Sequence, residues 1–228
     1  MPKTPVKIPC LALCALAVAG PAAADPVVVE LYTSQGCSSC PPADAMLGEL
    51  AARDDVIALS LHVDYWDWIG WKDTFADPAH SERQLRYAEA AGSNVRYTPQ
   101  FVIGGTDRVA GPSAMDLLEM IQAHEGATGD VLSVSGEVVT VGETRTEGQL
   151  IVVDYMPEAT VTVLHGENAG RSITYHNVVQ GWTMLQTLDG AATEVTVAGP
   201  EEGYRRVVLA QSVVGGKPGP MLGAVRLD

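Results

Sequence analysis

The sequence predicts an α/β unit followed by an all-β, sandwich-like unit. Three observations carry this expectation. Strand-type and helix-type runs alternate up to about Gly126, and only short β-type runs follow it. The 228 residues include 23 Gly and 14 Pro, enough turn formers for a large β component. A Cys37-Ser38-Ser39-Cys40 turn stands where the first strand gives way to the first helix.

Residues 1–24 read as a secretory signal. Lys3 and Lys7 precede an apolar run from Ile8 to Ala19, Gly20-Pro21 breaks it, and Ala22-Ala23-Ala24 gives a small-residue cleavage pattern. The run is about a dozen residues, short of the roughly 20 that span a bilayer. A periplasmic or secreted location is therefore expected, with no stable membrane insertion after cleavage. Removing the signal also removes Cys10 and Cys14. Cys37 and Cys40 then remain, in a compartment that lets disulfides form.

The first unit is expected over 25–126. Val27 to Tyr32 reads as a buried strand, Ala43 to Ala52 as a helix, and Val56 to Val63 as a second strand, parallel to the first by the crossover rule. Ser81 to Ala91 has helical spacing and stops at Gly92. Gln100 to Ile103 and Arg108 to Ala110 form a hairpin around Gly104-Gly105, and Ser113 caps a last helix, Ala114 to His124. The second unit is expected over 130–228. Its β-type runs are Val131–Val141, Gln149–Tyr155, Thr160–His165, His176–Leu188, Glu194–Ala198, Arg206–Val213 and Leu222–Leu227.

Composition narrows the function. There are 14 Lys+Arg against 28 Asp+Glu, a formal net charge of −14, which argues against a nucleic-acid binder. With 46% hydrophobic residues the chain can build a core, so disorder is excluded as a description of the whole.

The chemistry is concentrated in the cysteine turn. A cysteine at a helix N-terminus faces unpaired N–H groups and the positive dipole end, which favour thiolate over thiol. Cys37, the outer residue, is the candidate nucleophile, and Cys40 the candidate resolving thiol. Pro41 and Pro42 suit the first helical positions. A structural disulfide and half of a zinc site are the competing readings. Zinc needs two further ligands, for which no motif appears. Thr98-Pro99 opens the strand after the second helix. A cis bond there would set Thr98 beside the cysteines, free to pair with an extended substrate; an ordinary trans proline at an edge strand is the alternative.

The segment Glu30 to Asp44, containing Gly36-Cys37-Ser38-Ser39-Cys40-Pro41-Pro42, resembles an uncharacterised family of bacterial secreted thioredoxin-like proteins. His62-Val63-Asp64-Tyr65-Trp66-Asp67, Gly70-Trp71, Tyr97-Thr98-Pro99-Gln100, Gly166-Glu167-Asn168 and His176-Asn177-Val178-Val179 extend the likeness over nearly the whole chain after the signal. The resemblance implies a thioredoxin-like α/β domain over 25–126 and carries no assigned substrate; the cysteine turn itself points to a thiol–disulfide oxidoreductase, for which no cofactor or metal is expected. Ser-Ser between the cysteines, no Trp before Cys37 and the added β unit depart from typical thioredoxins.

The resemblance also singles out Glu30. Thioredoxins keep a buried acid on this strand, which would give Glu30 the proton of Cys40. A solvent-facing glutamate is the alternative. Tyr65 and Trp66 belong to an aromatic loop that either grips a substrate or packs the loop onto its unit. His62 and Asp64 share a strand face near the site, while His165, His176 and the Gly166–Arg171 turn show no ligand spacing. The expected partners are protein or small-molecule thiols and disulfides. The competing function is non-enzymatic, with the cysteine pair holding a soft metal such as Cu(I).

Overall fold

The computed structural model describes residues 25–129 and 131–227; the expected signal lies outside them. Eleven strands and three α-helices follow in the order β1 (Val27–Thr33), α1 (Pro41–Ala51), β2 (Val56–His62), α2 (Pro78–Ala90), β3 (Gln100–Ile103), β4 (Asp107–Ala110), α3 (Ala114–His124), β5 (Leu132–Ser135), β6 (Val138–Val141), β7 (Gly148–Thr162), β8 (Ser172–Leu188), β9 (Thr193–Thr196), β10 (Arg205–Val214) and β11 (Lys217–Arg226). A 3-10 turn, Asp67–Ile69, interrupts the aromatic loop. No described helix is long and apolar enough to cross a membrane.

The local expectations hold where patterning is strong. β1 runs parallel to β2 and antiparallel to β3, and Ser113 caps α3 in a reciprocal capping box with Asp116. α2 begins three residues earlier than expected because Asp77 accepts the Ala79 amide as N-cap and Pro78 fills the first position.

The expected fold class is overturned. The protein is mostly β, and strands from both halves of the chain share one mixed eight-stranded sheet, ordered β11-β10-β7-β8-β2-β1-β3-β4. A three-stranded sheet, β5-β6-β9, forms a separate ladder. An α/β thioredoxin-like domain followed by a sandwich would keep its sheets separate. Here β8 joins β2 in parallel at Ser60 and Val178.

The reason lies at Pro157. It reads as a break between two short strands, yet β7 runs through it for 15 residues opposite the 17 of β8. Met156 pairs with Val178 and Glu158 with His176, so Asn177 faces a proline that has no N–H to give. Asn177 adopts φ 49, a value its short amide tolerates, and its Nδ2 donates to the Ala58 carbonyl of β2, 2.9 Å away. The irregularity thus becomes the seam to the neighbouring strand.

Side-chain alternation divides the core. Val27, Val29 and Leu31 face α1 and α3, whereas Val28 and Tyr32 face α2 with residues of β7, β10 and β11. Leu150, Val152, Val208 and Ala210 pack the main sheet onto the small one. Glu30 shares the α2 face and is fully buried. Its carboxylate accepts bonds from Tyr32 (2.8 Å), Tyr87 (2.7 Å) and both arms of Arg83 (2.8 and 2.9 Å). Arg83 also donates to Gln211 of β10 and lies 3.9 Å from the ring centre of Trp182 on β8. Burial raises the Tyr32 and Tyr87 phenols well above their usual range, reinforced by the Glu30 charge.

Glu30→Gln leaves Arg83 without its carboxylate. Breaking such a pair costs about 3–5 kcal/mol, so a large drop in the urea midpoint is expected. A loss below about 1 kcal/mol, the range of exposed pairs, would contradict the role given to this network.

Candidate functional site

The cysteine turn is built by backbone bonds. The Cys37 amide donates to Ser34 O (3.1 Å), the Cys40 amide to Cys37 O (3.2 Å), and the amides of Ala43 and Asp44 both to Cys40 O. Cys40 is therefore the N-cap of α1, with Pro41 and Pro42 where a helix leaves its amides unpaired. Cys37 and Cys40 are joined as a disulfide. A Cβ on Gly36 would stand 3.1 Å from Ile69 Cδ1 and 3.4 Å from Trp66 Cβ, so a larger residue would press the aromatic loop outward by a few tenths of an ångström.

Both sulfur residues are covered, at 1% and 0% exposure, while Ser38 and Ser39 between them are open to solvent. Much of the cover comes from the β7–β8 hairpin tip, 163–171. Asn168, itself fully buried, donates through Nδ2 to Gln35 O (3.0 Å) and Cys37 O (2.9 Å), and accepts from Arg171. The Ser38 amide donates to the Glu167 carboxylate at 3.3 Å. In the sequence this stretch reads as a plain turn. The Gly166-Glu167-Asn168 motif was its only signal.

The aromatic loop mostly faces inward. Trp66 Nε1 donates to Thr98 Oγ1 (2.8 Å), Trp71 Nε1 to Gln35 Oε1 (2.8 Å) and Tyr65 OH to Gln84 Oε1 (3.0 Å). Trp68 alone of these rings projects outward, 81% exposed. The Thr98–Pro99 bond is cis. Gln100 pairs with Tyr32, which sets Pro99 beside the end of β1 where the cysteine turn departs. Trp66 links that corner to Gly36. Glu30 is not part of this assembly; it points to the opposite face of the sheet from α1.

A second group lies beneath the turn, of which the sequence points to His62 alone. Thr33 and His62 are register partners and project toward α1. Thr33 Oγ1 donates to Asp44 Oδ1 (2.7 Å), and His62 Nδ1 lies 2.7 Å from Asp73 Oδ2. Asp73 also accepts the amides of Gln35 and Phe75. Burial alone would raise Asp73, but His62 and these donors outweigh it and hold the carboxyl below its ordinary range. Burial dominates at Asp44 and pushes it up to about 7, against the lowering pull of His62 and Thr33. Asp64, expected beside His62, bonds Ser81 of α2 instead. Asp44 was hidden in the sequence because an acid in the first turn of a helix reads as dipole complementation.

Among the described residues, no three or more His, Cys, Asp or Glu side chains are arranged to hold a metal ion.

A family described as "Protein of unknown function (DUF1223)" matches residues 28–211, a span containing both the cysteine turn and Asn168. The chain belongs to this family. The crystal structure of AGR_C_4864 from Agrobacterium tumefaciens is similar, at 30% identity and a TM-score of 0.75, over 90% of this chain and 94% of that one. HBP35 of Porphyromonas gingivalis shares the fold at 12% identity and a TM-score of 0.58, over 90% and 75% of the two chains. No curated protein matches the chain.

Asn168→Ala removes two buried bonds from the turn, each worth about 1 kcal/mol. If reductant reaches Cys37 only when the tip lifts, dithiothreitol should reduce the variant's disulfide about tenfold faster. An unchanged rate would show that the tip does not limit access.

Proposed function

We propose that this protein carries out thiol–disulfide exchange through Cys37 and Cys40, in the periplasm or outside the cell. One observation carries the reading: the cysteines form a disulfide at the N-terminus of an 11-residue helix, where a thiolate released on reduction meets the positive end of the helix dipole. The likeness of this strand–turn–helix segment to redox turns of the thioredoxin superfamily and the signal-like leader support it.

A substrate thiolate attacks Cys37 Sγ, the Cys37–Cys40 bond breaks, and Cys40 leaves as thiolate. A second substrate thiol, deprotonated, attacks its own sulfur in the mixed disulfide and releases Cys37 as thiolate. The substrate dithiol loses two electrons and the protein disulfide gains them. The same steps in reverse oxidise the protein. Thr98 and Pro99 edge the site, with Trp66 holding Thr98 in place. Protein or small-molecule thiols and disulfides are the substrate class, and the chemistry requires no cofactor.

Cys40→Ser prevents resolution. The variant should accumulate disulfide adducts on Cys37 when offered oxidised glutathione or a disulfide-bonded peptide, and release them under reductant. Adducts absent from Cys40→Ser, together with stoichiometric Cu(I) retained by the reduced wild type, would replace exchange with metal binding.

A further inference from the structure

Reducing a buried disulfide leaves a buried thiolate, and an unpaired charge there is costly. Cys40 is fully covered, so the means of neutralising it must be found nearby. Asp44 is one helical turn on from Cys40, a spacing that puts two side chains on the same helix face. Its amide also bonds the Cys40 carbonyl at 3.0 Å.

The surroundings of Asp44 set it apart from an ordinary helix-start acid. It is 3% exposed, and while Oδ1 accepts from Thr33, Oδ2 is buried with no hydrogen-bond partner. Two further polar atoms in the same cluster share that condition, His62 Nε2 and Tyr175 OH. The Tyr175 and His62 rings meet edge to face at 4.7 Å, and burial, helped by the charges of Asp44 and Asp73, raises the phenol. Buried polar atoms are paired in the great majority of cases, so three orphans in one cluster call for an explanation.

We infer that Asp44 is the internal proton site of the cysteine pair, giving a proton to Cys40 when the disulfide is reduced and taking it back when the disulfide forms. The inference rests on the exchange reading above. In the reducing direction the Cys37–Cys40 bond breaks, the leaving Cys40 thiolate takes the Asp44 proton, and Asp44 is left as carboxylate. Its new charge then faces Thr33 from β1, His62 from β2, Asp73 from the loop before α2, and Tyr175 from β8. His176, also of β8, lies one turn further along against Gly48. His62 supplies the favourable field, and its bond to Asp73, whose own charge opposes that field at Asp44, fixes the imidazole. This role uses the orphaned oxygen, which an ion pair or cap would have occupied.

The sign of the pH dependence follows. A carboxyl that titrates near 7 holds its proton below that pH and has none to give above it. The rate at which dithiothreitol reduces the full chain, expressed per reductant thiolate, should therefore fall as pH rises through about 7. Asp44→Asn keeps an acceptor for Thr33 but has no proton to give. Its rate at about pH 6 should be lower by at least about tenfold, the lower edge of what a positioned proton donor supplies, and the fall near 7 should vanish. His62→Gln keeps Asp44 but removes the field that lowers it, so the fall should move to higher pH.

An Asp44→Asn rate reduced equally at every pH, with the fall retained, would overturn the inference and leave Asp44 a structural residue. So would a wild-type rate with no fall. Because these rates concern the protein's own disulfide, failure of exchange with substrates would reject the functional reading separately. The fall and its loss in Asp44→Asn would still stand.

Discussion

The joint between β2 and β8 is the constraint on which the rest depends. Two segments more than a hundred residues apart meet there in parallel, at Ser60 and Val178. Once β8 is seated against β2, its N-terminal part runs past α1. Tyr175 then faces His62, and the hairpin tip reaches the cysteine turn with Asn168 in position to bond it. The Glu30–Arg83–Gln211 network secures the same union across the other face of the sheet. That Glu30 lies there, and not beside Cys40, follows from strand parity alone: Val28, Glu30 and Tyr32 project together, away from α1.

The site is layered as a result. A covered disulfide sits between a hairpin tip bonded to its turn and the polar cluster proposed to exchange a proton. Each layer comes from a different stretch of chain: the turn from β1 and α1, the cover from β7 and β8, and the cluster from β1, β2, α1, the loop before α2, and β8. Opening the tip and moving a proton are separate events. The first depends on a few hydrogen bonds of about 1 kcal/mol each, the second on the titration of one carboxyl.

Much of the secondary structure was legible because it is local. Apolar runs, the Ser113 cap and the Gly104-Gly105 turn specify their elements within a few residues. The cysteine turn was legible for the same reason. What escaped depends on partners distant in sequence. Pro157 reads as a strand break, although β7 runs through it and Asn177, opposite, bonds β2. The run Val131–Val141 reads as one strand, although Gly136 at φ 60 folds it into β5 and β6. Glu30 is buried, one of the two readings its position leaves open, but its partner is Arg83, 53 residues away. Asp44 and Asp73 carry no pattern of their own, Asn168 only the Gly166-Glu167-Asn168 motif, and only the folded sheet brings them to the cysteines.

The central claim is that Cys37 and Cys40 form a working redox pair and not a static bridge. Equilibrating the full chain with glutathione buffers of graded ratio, and counting free thiols by mass after alkylation, tests it most directly. The account predicts one reversible two-electron transition, identical when approached from the reduced and the oxidised side, with any trapped glutathione on Cys37. A disulfide that stays closed at every ratio short of unfolding would contradict it and leave Cys37–Cys40 a structural link.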